Sequence, residues 1–175
     1  MDAWDLRTGR CIMLLKGHLK PVLSIDFSPN GYHIATGSEN NSCKIWDLSQ
    51  IKNVYSIAAH QNLVSTVKFQ LTEEHDLVTV SYDNTIKLWM HPIWSAIYSS
   101  TDHAQKIMSA DLSYVGQWIE TVSYDCTFKI WSAEQIRDRR FSLCLLEVKS
   151  SLGLKTFSST EAQIYSLQPP PRKEF

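Results

Sequence analysis

Three histidines recur along the chain, His18, His60 and His103, at spacings of 42 and 43 residues. A threonine recurs with them (Thr36, Thr79, Thr121), as does a carboxylate or amide (Asn40, Asp83, Asp125). Imidazole, hydroxyl and carboxylate are the groups that ligate metals and build nucleophilic relays, so the first question is whether they make a reactive site. Metal ligation needs side chains that converge, whereas these are dealt out one set per repeated unit. The other histidines, His33, His75 and His91, share no partner pattern. A hydrolytic triad fits poorly, because every unit carries the same groups. The six glycines make no phosphate-cradling loop. No catalytic residue, metal, cofactor or small-molecule substrate is expected, and the chain reads as a non-enzyme.

The better use for these groups is each other. Tryptophans fall at Trp4, Trp46, Trp89 and Trp131, spaced 42, 43 and 42. The threonine stands ten residues before its tryptophan and the carboxylate or amide six before. A carboxylate can accept from the histidine ring, the ring can meet the threonine hydroxyl, and the hydroxyl can meet the indole N–H. Such a chain satisfies polar groups that packing would otherwise strand, and losing one member costs about 1–3 kcal/mol. The sets are His60, Thr79, Asp83, Trp89 and His103, Thr121, Asp125, Trp131; His18, Thr36, Asn40 and Trp46 form the first, which lacks the charge and should hold least firmly.

The elements that position these groups are short strands. PVLSIDF and YHIATGS flank SPNG, whose Asn30-Gly31 pair suits a tight hairpin; CKIW follows, and VYSIAA or SAIYSS supplies a fourth segment. Four strands in each unit of this length is the spacing of propeller blades. The fold class expected is all-β, with a blade remnant at 1–16, blades near 17–58, 59–101 and 102–149, RFSLCLLEV at 140–148 as the last outer strand, and a non-repeat, Ser- and Pro-rich tail at 150–175.

Gly17-His18 and Trp46-Asp47 resemble the GH and WD marks of the WD-repeat (WD40) propeller family, over about residues 3–149. Ala59 and Asp102 replace the glycine of GH, and Met90 and Ser132 replace the aspartate after tryptophan. WDLRTGRCIMLLKGHLK at 4–20, FSPNGYHIATGS at 27–38, AHQNLVSTVKF at 59–69 and SYDCTFKIW at 123–131 are similar to the C-terminal propeller of the WD-repeat proteins of the spliceosomal U4/U6 small nuclear ribonucleoprotein, as are HQNLV and HPIW at 91–94. That resemblance implies a nuclear scaffold of pre-mRNA splicing in the U4/U6·U5 tri-snRNP, with U4/U6 proteins as partners and any contact with the U4/U6 snRNA local or indirect. Trp4-Asp5-Leu6-Arg7 resembles the WDxR signature of substrate receptors of cullin–RING ubiquitin ligases, the alternative reading; a truncated paralogue without stable function is the third. Closed propellers have about four to eight blades, so an incomplete arc, a fragment or a shortened product, is the expectation.

Composition narrows the rest. A net charge of −1 offers no global field for nucleic acid. Arg137, Arg139 and Arg140 are the best local candidates for RNA or partner contact, with a solvated loop the commoner outcome. Lys44, Lys87 and Lys129, each two before a tryptophan, are expected to lie along the sheet with wet ends. Cys11, Cys43, Cys126 and Cys144 show no paired spacing and read as small buried residues. No apolar run is long enough to span a membrane, and no membrane contact is expected.

Overall fold

The structure, a computed structural model, describes residues 2–70, 76–114, 116–132 and the strand 144–149. Fourteen strands and no helix make up the described residues: β1 (Asp2–Asp5), β2 (Arg10–Leu14), β3 (Val22–Phe27), β4 (His33–Ser38), β5 (Cys43–Asp47), β6 (Lys52–Ile57), β7 (Val64–Phe69), β8 (Leu77–Ser81), β9 (Ile86–Met90), β10 (Ser95–Ser100), β11 (Ile107–Leu112), β12 (Trp118–Ser123), β13 (Thr127–Ser132) and β14 (Cys144–Lys149). They form one two-stranded sheet, β1-β2, and three four-stranded antiparallel meanders, β3 to β6, β7 to β10 and β11 to β14. This is an incomplete propeller of all-β class. Residues 140–143, the arginines 137, 139 and 140, His75 and the tail 150–175 lie outside the described residues.

The second meander has a four-stranded sheet on each side, so its second strand loses the half-polar alternation that β12 of the third meander keeps. LVTVS of β8 is buried at every position, while the outer strand β6 is mostly exposed. One apolar cluster joins the first and second meanders through Ala35, Ile45, Val64, Val67, Phe69 and Leu77. Another joins the second and third through Val80, Ile86, Leu88, Ile107, Ile119 and Trp131. The approach is close: a Cβ on Gly37 would stand 2.8 Å from Val64 Cγ1, so this position tolerates no side chain.

The pairing of first and second strands shifts register at the same place in every meander, between Val22 and Ser24, Val64 and Thr66, and Ile107 and Ser109. A repeated bulge of this kind adds local twist, which the radial stack of sheets requires. Strand β7 is an edge strand whose free amides are met from the neighbouring sheet. Val67 N–H donates to Ser24 Oγ (3.1 Å) and Phe69 N–H to Asp26 Oδ2 (2.8 Å). Ser65 Oγ–H donates to Ile107 O, Lys68 pairs with Asp111 at 3.2 Å, and Gln70 Nε2 donates to Gly116 O, which ties the second meander to the third.

Several expectations change. The hairpin at SPNG is longer than a two-residue turn: residues 28–32 connect β3 to β4, and only Gly31 takes a left-handed φ, of 74°. Asn30 Oδ1 instead accepts from Ser28 Oγ–H and Tyr32 N–H, which braces the loop. Trp4 keeps the period but is 58% exposed, because the two-stranded sheet has no inner strands beside it. Trp94 of HPIW is buried against Phe69 and His91, so packing accounts for part of that stretch. Of the cysteines, Cys43 is buried, with its thiol pushed up to about 12 by desolvation, whereas Cys11 and Cys126 are exposed on an outer strand and in a turn. The side chain of Cys144 lies outside the described residues.

Candidate functional site

The recurring polar groups come together within each meander, at the end where the first strand starts and the second strand finishes. Trp89 Nε1–H donates to Thr79 Oγ1 at 2.9 Å, and Thr79 Oγ1 stands 2.7 Å from His60 Nε2. His60 Nδ1 faces Asp83 Oδ2 at 3.2 Å. The hydroxyl oxygen accepts from the indole, so its hydrogen goes to His60 Nε2, and the imidazole then carries its proton on Nδ1 toward the carboxylate; this tautomer is assigned from the network. The third meander repeats the arrangement: Trp131 to Thr121 at 2.9 Å, Thr121 to His103 at 2.8 Å, His103 to Asp125 at 2.8 Å.

The first meander keeps half of it. Trp46 Nε1–H donates to Thr36 Oγ1 at 2.8 Å and His18 Nε2 stands 2.7 Å from the same oxygen. Asn40, expected as the acceptor, is not one: its Oδ1 accepts from Ser42 N–H and Oγ–H, and His18 Nδ1 is buried without a partner. An aspartate offers two acceptor oxygens and an asparagine one. Asp83 spends Oδ1 on Thr85 and Oδ2 on His60 and the Gln61 amide; Asn40 has nothing left after Ser42.

That comparison exposes residues the sequence reading missed. Thr85 donates its hydroxyl to Asp83 Oδ1 at 2.6 Å and its oxygen lies 2.8 Å from His60 Nδ1; Thr127 donates to Asp125 in the same way. Ser38, Ser81 and Ser123 each receive the amide of the residue two positions on and donate to a carbonyl of the preceding loop. The signal was present, since Ser and Thr or Ser stand at fixed places in SENNS, SYDNT and SYDCT. The lysines also depart from expectation. Lys87 Nζ donates to Ala59 O and Lys129 Nζ to Asp102 O, the carbonyls just before the histidines; Lys129 is 6% exposed, so its end is dry, whereas Lys87 is half-buried. Lys44 turns to Ser56 Oγ instead.

Burial pushes the Asp83 carboxyl up, yet hydrogen bonds from His60, Thr85 and the Gln61 amide outweigh it and hold the group well below the usual carboxylate range. At Asp125 burial is likewise outweighed, by Thr127, His103 and the Ala104 amide. Burial lowers the pKa of His18, whose Nδ1 lies buried without a hydrogen-bond partner.

Asp, His and a hydroxyl in line have the order of a nucleophilic triad. Here Thr79 and Thr121 are 0% exposed and their oxygens are taken by indole N–H groups, so neither hydroxyl can reach a substrate. Among the described residues no group of three His, Cys, Asp or Glu could hold a metal ion, and no helix is long and apolar enough to cross a membrane. What the sets do is mechanical. They bolt the loop that enters each meander to the turn after its second strand, and so hold one rim of loops rigidly while leaving it accessible: Leu19, Gln61, Asn62, Ala104 and Tyr124 are all exposed there.

A family profile described as WD domain, G-beta repeat matches residues 9–47, 51–90 and 94–132. Each matched unit starts before the outer strand of one sheet and ends at or near the third strand of the next, so the sequence repeat straddles the sheets and ties neighbours covalently. The chain is 28% identical over 131 residues to the nuclear distribution protein nudF of Aspergillus niger, covering 73% of this chain and 30% of that protein. It is 28% identical to a coronin-like protein of Saccharomyces cerevisiae, over 71% of this chain and 22% of the relative. Human transducin beta-like protein 3 is also 28% identical, over 77% of this chain and 19% of the relative. The chain therefore spans less than a third of the length of these relatives, whose names are diverse.

Proposed function

This chain belongs to the WD40 family of G-beta repeats, and from that premise we propose that it is a protein-interaction scaffold of the U4/U6 particle in pre-mRNA splicing. The observation that carries the scaffold reading is the rim of loops held in place by buried His-Thr-acid-Trp sets, with the reactive groups spent inside and the loop surfaces left free for partners. The spliceosomal assignment is supported by the resemblance in HQNLV at 60–64 and its flanks, where Gln61 and Asn62 are exposed and no core contact asks for them. Partners on this reading are U4/U6 proteins, the compartment is the nucleus, and no catalysis is involved.

The cullin–RING reading keeps one observation in its favour. In the turn after β1, Leu6 is 98% exposed and the Arg7 side chain 86% exposed, so the WDxR tetrapeptide is presented outward. One experiment separates the two. The epitope-tagged chain is recovered from nuclear extract and probed for U4 and U6 snRNA by northern blot and for the ligase adaptor by immunoblot. Co-enrichment of both snRNAs is the expected result; adaptor without snRNA would replace the splicing role with the ligase role, and neither would leave a paralogue without a stable complex.

A further inference from the structure

We propose that the cleft between the second and third meanders, walled by Tyr82, Tyr124 and Lys106, docks an acidic peptide segment of a protein partner. The cleft encloses about 350 Å³ and is lined by Tyr82, Asn84, Ala104, Gln105, Lys106 and Tyr124. The two tyrosine rings meet edge to face, with centroids 6.5 Å apart at 88°. Lys106 Nζ lies 5.2 Å from the Tyr82 ring centre, which leans the ammonium into the opening.

Charge decides what fits. The lining carries one cation and no carboxylate. The acids next to the tyrosines in sequence, Asp83 and Asp125, are turned inward and spent on His60 and His103. Among the described residues Lys106 makes no ion pair, so its charge is offered outward, beside phenol hydroxyls and the amide of Gln105 that can donate to the same anion, while the Asn84 amide donates to Ala104 O across the cleft. Tyr124 is 56% exposed and presents a ring face to an apolar or aromatic neighbour of that anion. The walls are fixed by backbone hydrogen bonds, Tyr124 N–H to Lys106 O at 3.0 Å and Tyr82 N–H to Leu63 O at 3.2 Å.

The equivalent place between the first and second meanders lacks this character. Glu39 stands where Tyr82 does, Leu63 where Lys106 does, and Gln61 where Ala104 does. That cleft carries an acid and no cation, so the anion preference belongs to one cleft alone. The geometry also argues against single-stranded RNA, which needs open aromatic faces in succession and several cations along a groove. Lys106 already covers the Tyr82 face, and it is the only cation in the lining.

This inference deepens the scaffold reading and rests on it, but its test needs no splicing component, so either can fail alone. The full chain is titrated, by fluorescence anisotropy, against a fluorescein-labelled peptide alternating glutamate and tyrosine, its lysine–tyrosine counterpart, and oligouridylate. Saturable binding of the acidic peptide is expected, with Lys106→Glu weakening it by on the order of tenfold and Tyr124→Ala by roughly fivefold, at unchanged melting temperature. The double substitution Glu39→Tyr with Leu63→Lys is expected to add a second site of the same preference. Absence of binding, equal affinity for Lys106→Glu, preference for the lysine peptide, or competition by oligouridylate at this cleft would each overturn the proposal.

Discussion

Phe27 and Phe69 end the first strands of the first and second meanders, 42 residues apart and in the same register position, opposite Ile34 and Leu77. Phe69 is 2% exposed and packs edge-on against Trp94 at 6.1 Å; Phe27 is 59% exposed. Val67 and Ile25 repeat the contrast, at 0% and 46%. The difference lies beside the strand. Phe69 has the whole first meander against it, whereas beside Phe27 stands a sheet of two strands, β1 and β2, which covers Trp46 and Ile34 through Leu15 and leaves a groove of about 900 Å³ along β3. Identical side chains at identical positions thus carry different stabilising energies, because the hydrophobic term counts area removed from water.

The sharpest test of this contrast substitutes both phenylalanines. Phe69→Ala should cost about 3–5 kcal/mol in chemical denaturation, and Phe27→Ala under about 1 kcal/mol. Equal losses would mean that the groove beside β3 is filled in solution. The polar sets come next. Asp83→Ala strands the His60 N–H, the Gln61 amide and the Thr85 hydroxyl together and should cost about 3 kcal/mol, whereas Asn40→Ala removes only the bonds to Ser42 and should cost about 1 kcal/mol.

Acid should separate the meanders in order. The folded-state pKa of His18 lies below its ordinary value, so the native state binds fewer protons than the unfolded one and stability falls as pH drops below about 6.5. The carboxyls of Asp83 and Asp125 are also held low, so their contribution is complete above about pH 4 and is withdrawn only as pH falls further. Amide exchange resolved by residue should therefore show β3–β5 opening in mild acid while β8 and β12 stay protected. Simultaneous loss of protection would contradict this. The last effect is a gain: Asn40→Asp provides the missing second oxygen and should stabilise the first meander by about 0.5 kcal/mol while raising the His18 pKa, read by NMR titration.

Much of the fold was legible because a repeat states the same physical problem several times. The matching positions of tryptophan, threonine, histidine and acid mark strands and their ends whatever the tertiary arrangement, and the structure brings these groups within hydrogen-bond distance in the second and third meanders. Asn40 misled because substituting an amide for a carboxylate looks mild when acceptors are counted by residue type. Which neighbour takes the single oxygen depends on a Ser42 hydroxyl a few ångströms away. Lys87 and Lys129 misled because a lysine two before a tryptophan reads as a surface stem until the loop carbonyl it reaches is in place.

By itself the amino-acid order determined the strands, their number per unit and the histidine–threonine–tryptophan links of each polar set, since these are settled within one stretch of chain about 42 residues long. Only the tertiary structure decided which faces are dry, where Lys106 and the tyrosines open a cleft, and why Phe27 stands in water while Phe69 does not. Exposure is a property of two surfaces, and the second surface comes from another sheet, which the local sequence of the first does not contain.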